Sequence, residues 1–515
     1  MKRRLLAVCL IIALLLGGCG GQITFRDMQY SRPDMAAYRL AFSKCMETAP
    51  GERNLENLVD LIYDCQSAYT AFYTNYMLAY IHYSMGMNDL YWEREYTYCA
   101  ENAAQMDEAL DSLYRTLADC PLREELEGED YFGADFFCDY EGDSYWDDAF
   151  TALLEQEAEL ENRYYALQAS EDYGTEEFAP KAEQLYVELV KLRQDIAKEA
   201  GYESYPEYAC REIYQRDYTQ KDTKTLIDGI KTELVPLYKK LCDAELWECP
   251  ISPNLPEGAV LYVKDTAKAM GGVIRDAFSE MTDKELYHME YREHQFDGSF
   301  EVYLYDYQVP FVFVDPSYTV MDYLTFAHEF GHFCNDYAAC GSGVNIDVAE
   351  VFSQGMEYLS LCYADEEENM TRLKMIDSLC IYAEQAAYAD FEQQVYTLSE
   401  EELTAENLRV LYDKTCTEYG LDSEFCQDWD YVLISHFFTS PLYIISYVVS
   451  NDAALQFYQL EKTTPGAGVE LYTNALTTET VGFLEFIKET NLQSPFAPGR
   501  MESLKPMFRE ILHLQ

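Results

Sequence analysis

The chain has 515 residues, 49% of them hydrophobic, and carries 92 acidic against 37 basic side chains, for a formal net charge of −55. That length and apolar content exclude a disordered chain and a minimal disulfide-stapled one, and the charge excludes nucleic acid as a partner because the phosphate backbone would be repelled. The acidity is spread along the sequence, as on a solvated surface, and the field it makes would concentrate cations, including metal ions and basic peptides.

Residues 1–18 read as a leader: Lys2, Arg3 and Arg4 precede the apolar run Leu5 to Leu16, which is too short to span a bilayer comfortably. Leu16-Gly17-Gly18-Cys19 resembles the bacterial lipobox, with an ordinary signal-peptide cleavage site as the alternative. The expectation is an exported lipoprotein, anchored through lipidated Cys19 to the outer face of the bacterial cell membrane, with residues 19–29 as tether. Fourteen further cysteines contain no C-x-x-C pair, so a cysteine zinc ribbon is disfavoured. They are read as mostly buried apolar side chains.

Residues 30–200 read as an N-terminal helical lobe. Leu55 to Tyr83, Tyr91 to Leu117 and Trp146 to Gly201 repeat apolar residues every three or four positions with few glycines or prolines. The 46 tyrosines of the chain are read as packing, and His82 as a packed or capped histidine. Residues 201–515 form the second part. Within it the cluster Cys249 to Pro256 breaks the helical pattern. Leu286 to Val314 then alternates around Asp297-Gly298-Ser299, which predicts a small antiparallel sheet. Its edge could hold an extended peptide by backbone hydrogen bonds. His288 and His294 fall here, and neither is expected to touch substrate.

The chemistry begins at Thr325-Phe326-Ala327-His328-Glu329-Phe330-Gly331-His332-Phe333. Positions i and i+4 of a helix share a face, so His328 and His332 can reach one ion, while Glu329 projects beside them as a proton acceptor. In so acidic a chain this pattern also arises by chance in roughly one sequence in a hundred. Catalytic zinc takes three protein ligands and keeps one open position. The next helical stretch, Asp347 to Tyr358, offers Glu350 as the third ligand, set between Ala349 and Val351-Phe352, where burial would demand a partner. Glu357, two turns on, is a candidate to orient a ligand histidine. Further along, His436, Tyr443 and Tyr447 are neutral donors of the kind that stabilise a developing oxyanion, and by composition alone they are equally core aromatics. Pro441 predicts a helix start that sets Tyr443 and Tyr447 one turn apart.

Taken together, His328-Glu329-x-x-His332, Glu350-x-x-Ser353-Gln354-x-x-Glu357, and His436 followed by Pro441, Tyr443 and Tyr447 resemble the zinc oligopeptidases that include thimet oligopeptidase and bacterial oligoendopeptidase F. Tyr30-Ser31-Arg32-Pro33-Asp34-Met35 and Gln493-Ser494-Pro495-Phe496 look like the bacterial branch. The resemblance implies a mostly α, two-lobed zinc peptidase with a deep central channel admitting short peptides, its catalytic domain in residues 201–515. It implies one Zn2+ on His328, His332 and Glu350, Glu329 as general base and acid, and His436, Tyr443 and Tyr447 as transition-state donors. The glycine-rich segment that precedes the metal helix in that family is reduced here to Gly298. Two other readings stay open: a carboxypeptidase or dipeptidyl enzyme on a related scaffold, and a peptide-binding lipoprotein without catalysis.

Overall fold

The computed structural model describes residues 23–514 apart from 129–130, 142–146, 244–255, 342, 366, 422–426 and 479. The expected leader, Cys19, and all of the Cys249–Pro256 breaker except Pro256 lie outside the described residues. Three helices open the chain: α1 (Met35–Thr48), α2 (Leu55–Ser84) and α3 (Leu90–Ala118). Asp34, Asn54 and Asp89 cap them by accepting from the unpaired N–H groups of each first turn. The three bury a core of their own around Phe42, Cys45, Ile62, Cys65, Phe72, Leu110 and Tyr114. At 30 residues, α2 runs about 45 Å and leaves this bundle at its far end, where Leu78 and Ile81 join the main core. Next come α4 (Asp148–Gln168) and α5 (Ala179–Glu199), which pack on each other and contribute Phe150, Tyr164, Tyr186 and Leu189 to that core.

One small sheet interrupts the helices, with β1 (Tyr287–His288), β2 (Ser299–Leu304) and β3 (Val309–Val314) in the order β1-β3-β2. It is mixed, not antiparallel as expected: β2 pairs antiparallel with β3 from Ser299↔Val314 to Leu304↔Val309, whereas β1 runs parallel to β3. The hairpin turn is Tyr305 to Gln308, and Asp297-Gly298 instead enters β2. The reason is burial. Val309-Pro310-Phe311-Val312-Phe313-Val314 is apolar throughout and takes the central place, buried along its whole length. Half-buried β2 is left as an edge strand.

The second part is built on α6 (Asp322–Ala339), α7 (Ile346–Ser360), α8 (Glu367–Cys380) and α9 (Ile445–Thr463). Every residue of α7 from Asp347 to Ser360 is buried, because α6 and α9 cover it. Its carboxylates, Asp347, Glu350 and Glu357, therefore need partners. The α6–α7 crossing is close because Gly331 has no side chain: a Cβ there would stand 2.5 Å from the Phe352 carbonyl oxygen and 2.6 Å from Ser353 Cα. α9 begins at Ile445 and not at Pro441, since Leu442 turns into the left-handed region (φ 62°) and interrupts the helical path. Of the described cysteines, Cys45, Cys65, Cys99, Cys120, Cys334 and Cys416 are buried as expected, while Cys138 and Cys340 are exposed. No helix among the described residues is long and apolar enough to cross a membrane.

Candidate active site

The expected residues on α6, α7 and the segment from His436 to Tyr447 converge on one cleft of about 1410 Å³. His328, Glu329, His332, Glu350, His436, Tyr443 and Tyr447 all line it. One turn of α6 sets the imidazoles edge to face with ring centres 5.1 Å apart, and the glycine-mediated crossing brings Glu350 close to both. Glu350 Oε2 stands 3.3 Å from His328 Nε2 and 3.7 Å from His332 Nε2. The donor atoms of the three lie within 4.8 Å of one another. Ligand atoms at about 2.0–2.2 Å from a tetrahedral ion stand roughly 3.3–3.6 Å apart, so this set fits a zinc-sized cation.

Behind the ligands is a chain of buried charges. His328 Nδ1 meets Glu357 Oε1 at 2.8 Å, and Lys374 Nζ donates to Glu357 Oε2 and to Asp377 Oδ2, each at 2.7 Å. Glu357 thus pairs with one ring nitrogen of His328 while the other faces Glu350. Ser353 Oγ donates to Glu350 Oε2 at 2.8 Å, and the Tyr443 hydroxyl donates to Glu350 Oε1. His436 Nε2 lies 3.2 Å from the Tyr447 hydroxyl.

The electrostatics separate the carboxylates. Burial pushes Glu329 up to about 8; the nearby His328 opposes this, and the Glu350 and Glu357 charges add to it. Burial also opposes ionisation of Glu350, but the two histidines and the Tyr443 hydroxyl outweigh it and hold this carboxyl at about 2. Glu350 is thereby suited to ligation and Glu329 to moving a proton near neutral pH. Burial drives His436 downward and Tyr443 and Tyr447 well above their ordinary values, so all three are neutral donors.

His288 is outside the cleft lining, stacked on Phe313 and paired with Gln295, and His294 is at the surface beside Glu293. His82 stacks between Trp92 and Phe25. Sequence reasoning missed Tyr80 of α2 and Tyr165 of α4, which form part of the cleft wall; a helical tyrosine reads the same whether it faces core or cleft. It also missed Lys374, although a lysine between Leu373 and Met375-Ile376 is a signal of buried charge. β2 lines the cleft through Ser299, Phe300 and Glu301. A second hollow of about 630 Å³ shares His328, Glu329 and Tyr447 with the cleft wall.

A helical scaffold that places a His-Glu-x-x-His helix and a third carboxylate at the floor of a peptide-sized cleft defines a metallopeptidase. The comparisons with known proteins agree. The family profile described as "Peptidase M3 N-terminal domain" matches residues 25–143, and that described as "Peptidase family M3" matches residues 271–496. The chain belongs to peptidase family M3. No curated protein matches it. Among solved structures it is similar to PZ peptidase A bound to an inhibitor, with 18% identity, 95% of this chain and 99% of that one covered, and a TM-score of 0.84. A protein described as an oligoendopeptidase F from Bacillus anthracis str. Ames gives 21%, 96% and 99%, and 0.80. The oligoendopeptidase F of Enterococcus faecium gives 15%, 94% and 98%, and 0.56. At these identities the likeness is one of fold.

Proposed function

We propose that the protein is a zinc-dependent endopeptidase that hydrolyses internal bonds of short oligopeptides outside the cell, where lipidated Cys19 holds it at the outer face of the membrane. The observation that carries the reading is the grouping of three ligand atoms within 4.8 Å, with Glu329 and the neutral donors facing the same cleft. One Zn2+ held by His328, His332 and Glu350 would supply a Lewis acid that polarises the scissile carbonyl and acidifies the attacking water. Glu329 accepts the proton of that water, and later delivers it to the leaving amine. His436, Tyr447 and, once its hydroxyl turns from Glu350 Oε1, Tyr443 donate toward the oxygen on which negative charge develops, a contribution of several kcal/mol to barrier lowering. The edge of β2 binds the peptide backbone in extended form without demanding a particular side chain.

Metal analysis combined with a peptide series tests this. The purified protein is expected to carry one zinc and to cut peptides blocked at both ends, with turnover falling as substrates lengthen or fold. Cleavage only of peptides with a free C-terminus would establish a carboxypeptidase instead, and stoichiometric capture without cleavage would establish a binding protein. Glu329→Gln is expected to keep the metal and lose about 10³-fold or more in kcat. Undiminished hydrolysis by that variant rejects the role of Glu329.

A further inference from the structure

We propose that Arg216, which lies outside the cleft, is a positioning residue that locks the donor segment onto the metal-ligand helix and so sets where the Tyr443 hydroxyl points. The inference rests on the reading that Tyr443 donates to the reacting carbonyl oxygen.

The Arg216 side chain is 4% exposed, and it meets three acceptors on two separate elements. Nη2 donates to the Leu442 carbonyl at 3.0 Å and to Ser446 Oγ at 2.9 Å, while Nε donates to Asp347 Oδ2 at 3.3 Å. Asp347 is in the first turn of α7, one turn before Glu350. Leu442 directly precedes Tyr443, whose hydroxyl reaches Glu350. The connections close on themselves: from Arg216 through Asp347 and α7 to Glu350, and back through Tyr443 and Leu442.

Leu442 needs this hold. It is a branched residue at φ 62°, a conformation that L side chains adopt only when their surroundings over-determine it. Its neighbours are held in the same way. Arg193, fully buried, donates Nη1 to the Phe437 carbonyl at 2.7 Å and Nη2 to that of Phe438, and the Tyr214 hydroxyl donates to the Pro441 carbonyl at 2.6 Å. The donors all come from residues 193–216, between the two stretches that match the family profiles. A guanidinium presents several N–H groups in one rigid plane, whereas an ammonium cannot serve the same set of acceptors in that geometry.

The experiment compares Arg216→Lys, Tyr443→Phe and the double variant in zinc-replete protein. It reads metal content, kcat and KM separately, affinity for a phosphinic transition-state analogue, and amide hydrogen exchange over residues 437–447. Arg216→Lys is expected to keep its zinc, lower kcat about 10- to 100-fold with KM within about twofold, and weaken the analogue in parallel. Exchange over 437–447 is expected to quicken, and the double variant to be little worse than Tyr443→Phe alone. If Arg216→Lys does not fold, Ser446→Ala removes one acceptor of the same guanidinium and is expected to lower kcat about threefold, as one hydrogen bond would. A full-rate Arg216→Lys or Ser446→Ala, or fully additive losses in the double variant, overturns the inference while leaving a slowed Tyr443→Phe to support the role of the tyrosine. A full-rate Tyr443→Phe removes that role and the inference with it.

Discussion

Lys374 has no exposed surface and stands between Glu357 and Asp377, so His328 is oriented by a carboxylate whose charge is itself held in place one residue further out. Removing the cation leaves buried negative charge uncompensated, at a cost of about 3–5 kcal/mol. Lys374→Met is therefore expected to bind zinc roughly 10- to 100-fold more weakly, read by chelator competition, with Lys374→Arg intermediate. A second buried carboxyl, Glu392, lies outside the catalytic group. Burial pushes it up to about 8, and the Leu442 amide draws it back only partly, without a full hydrogen bond. Because its folded value exceeds its ordinary one, the fold retains a proton that the unfolded chain gives up. The stability it contributes is complete below the ordinary value near 4.5, is lost as pH climbs toward about 8, and changes no further beyond. Glu392→Gln is expected to flatten that decline, so that the wild-type Tm drops more than the variant's between pH 5 and pH 9.

At the level of whole helices, the crossing of α6 with the wholly buried α7 is the feature that makes a candidate metal site. Gly331→Ala would drive a methyl group into the Phe352 carbonyl and Ser353 Cα, and relief requires the helices to part. Overpacking of this kind costs about 1–3 kcal/mol. The sharper expectation is loss of tight zinc binding, since Glu350 moves away from the imidazoles; calorimetric titration with zinc checks it. This glycine also marks how far the sequence could be read. The periodicity of α2, α3 and α6 and the spacing His328-x-x-x-His332 are local, so they were legible, and so was Glu350, whose apolar neighbours announced burial. The parallel pairing of β1 depends on contacts 25 positions along the chain, Tyr287 with Val312, and the break before α9 and the guanidinium that holds Leu442 on contacts more than 200 positions apart, such as Arg216 with Leu442. No local pattern carries those. The tyrosines show the same limit from the other side: Tyr114 fills a core and Tyr80 a cleft wall, in helices with similar patterns.

Across the whole molecule the charge is expected to bias substrate choice. Among the described residues the cleft wall has Asp297, Glu301 and Asp336 and neither lysine nor arginine, in a chain of net charge −55. Peptides bearing lysine or arginine are expected to be cleaved with a higher kcat/KM than glutamate-bearing counterparts, and the advantage to shrink several-fold between about 20 mM and 500 mM salt as the field is screened. Equal rates at low salt would show that the field does not reach the bound peptide. The position of β2 has a consequence at this scale too. An open strand edge on an outer surface invites a second sheet to pair with it and grow into an aggregate. Here β2 packs against α2 and α6 and lines the cleft. If the proposed anchoring and the preference for short, unfolded peptides hold, neighbouring copies are expected neither to pair through this edge nor to digest one another while folded.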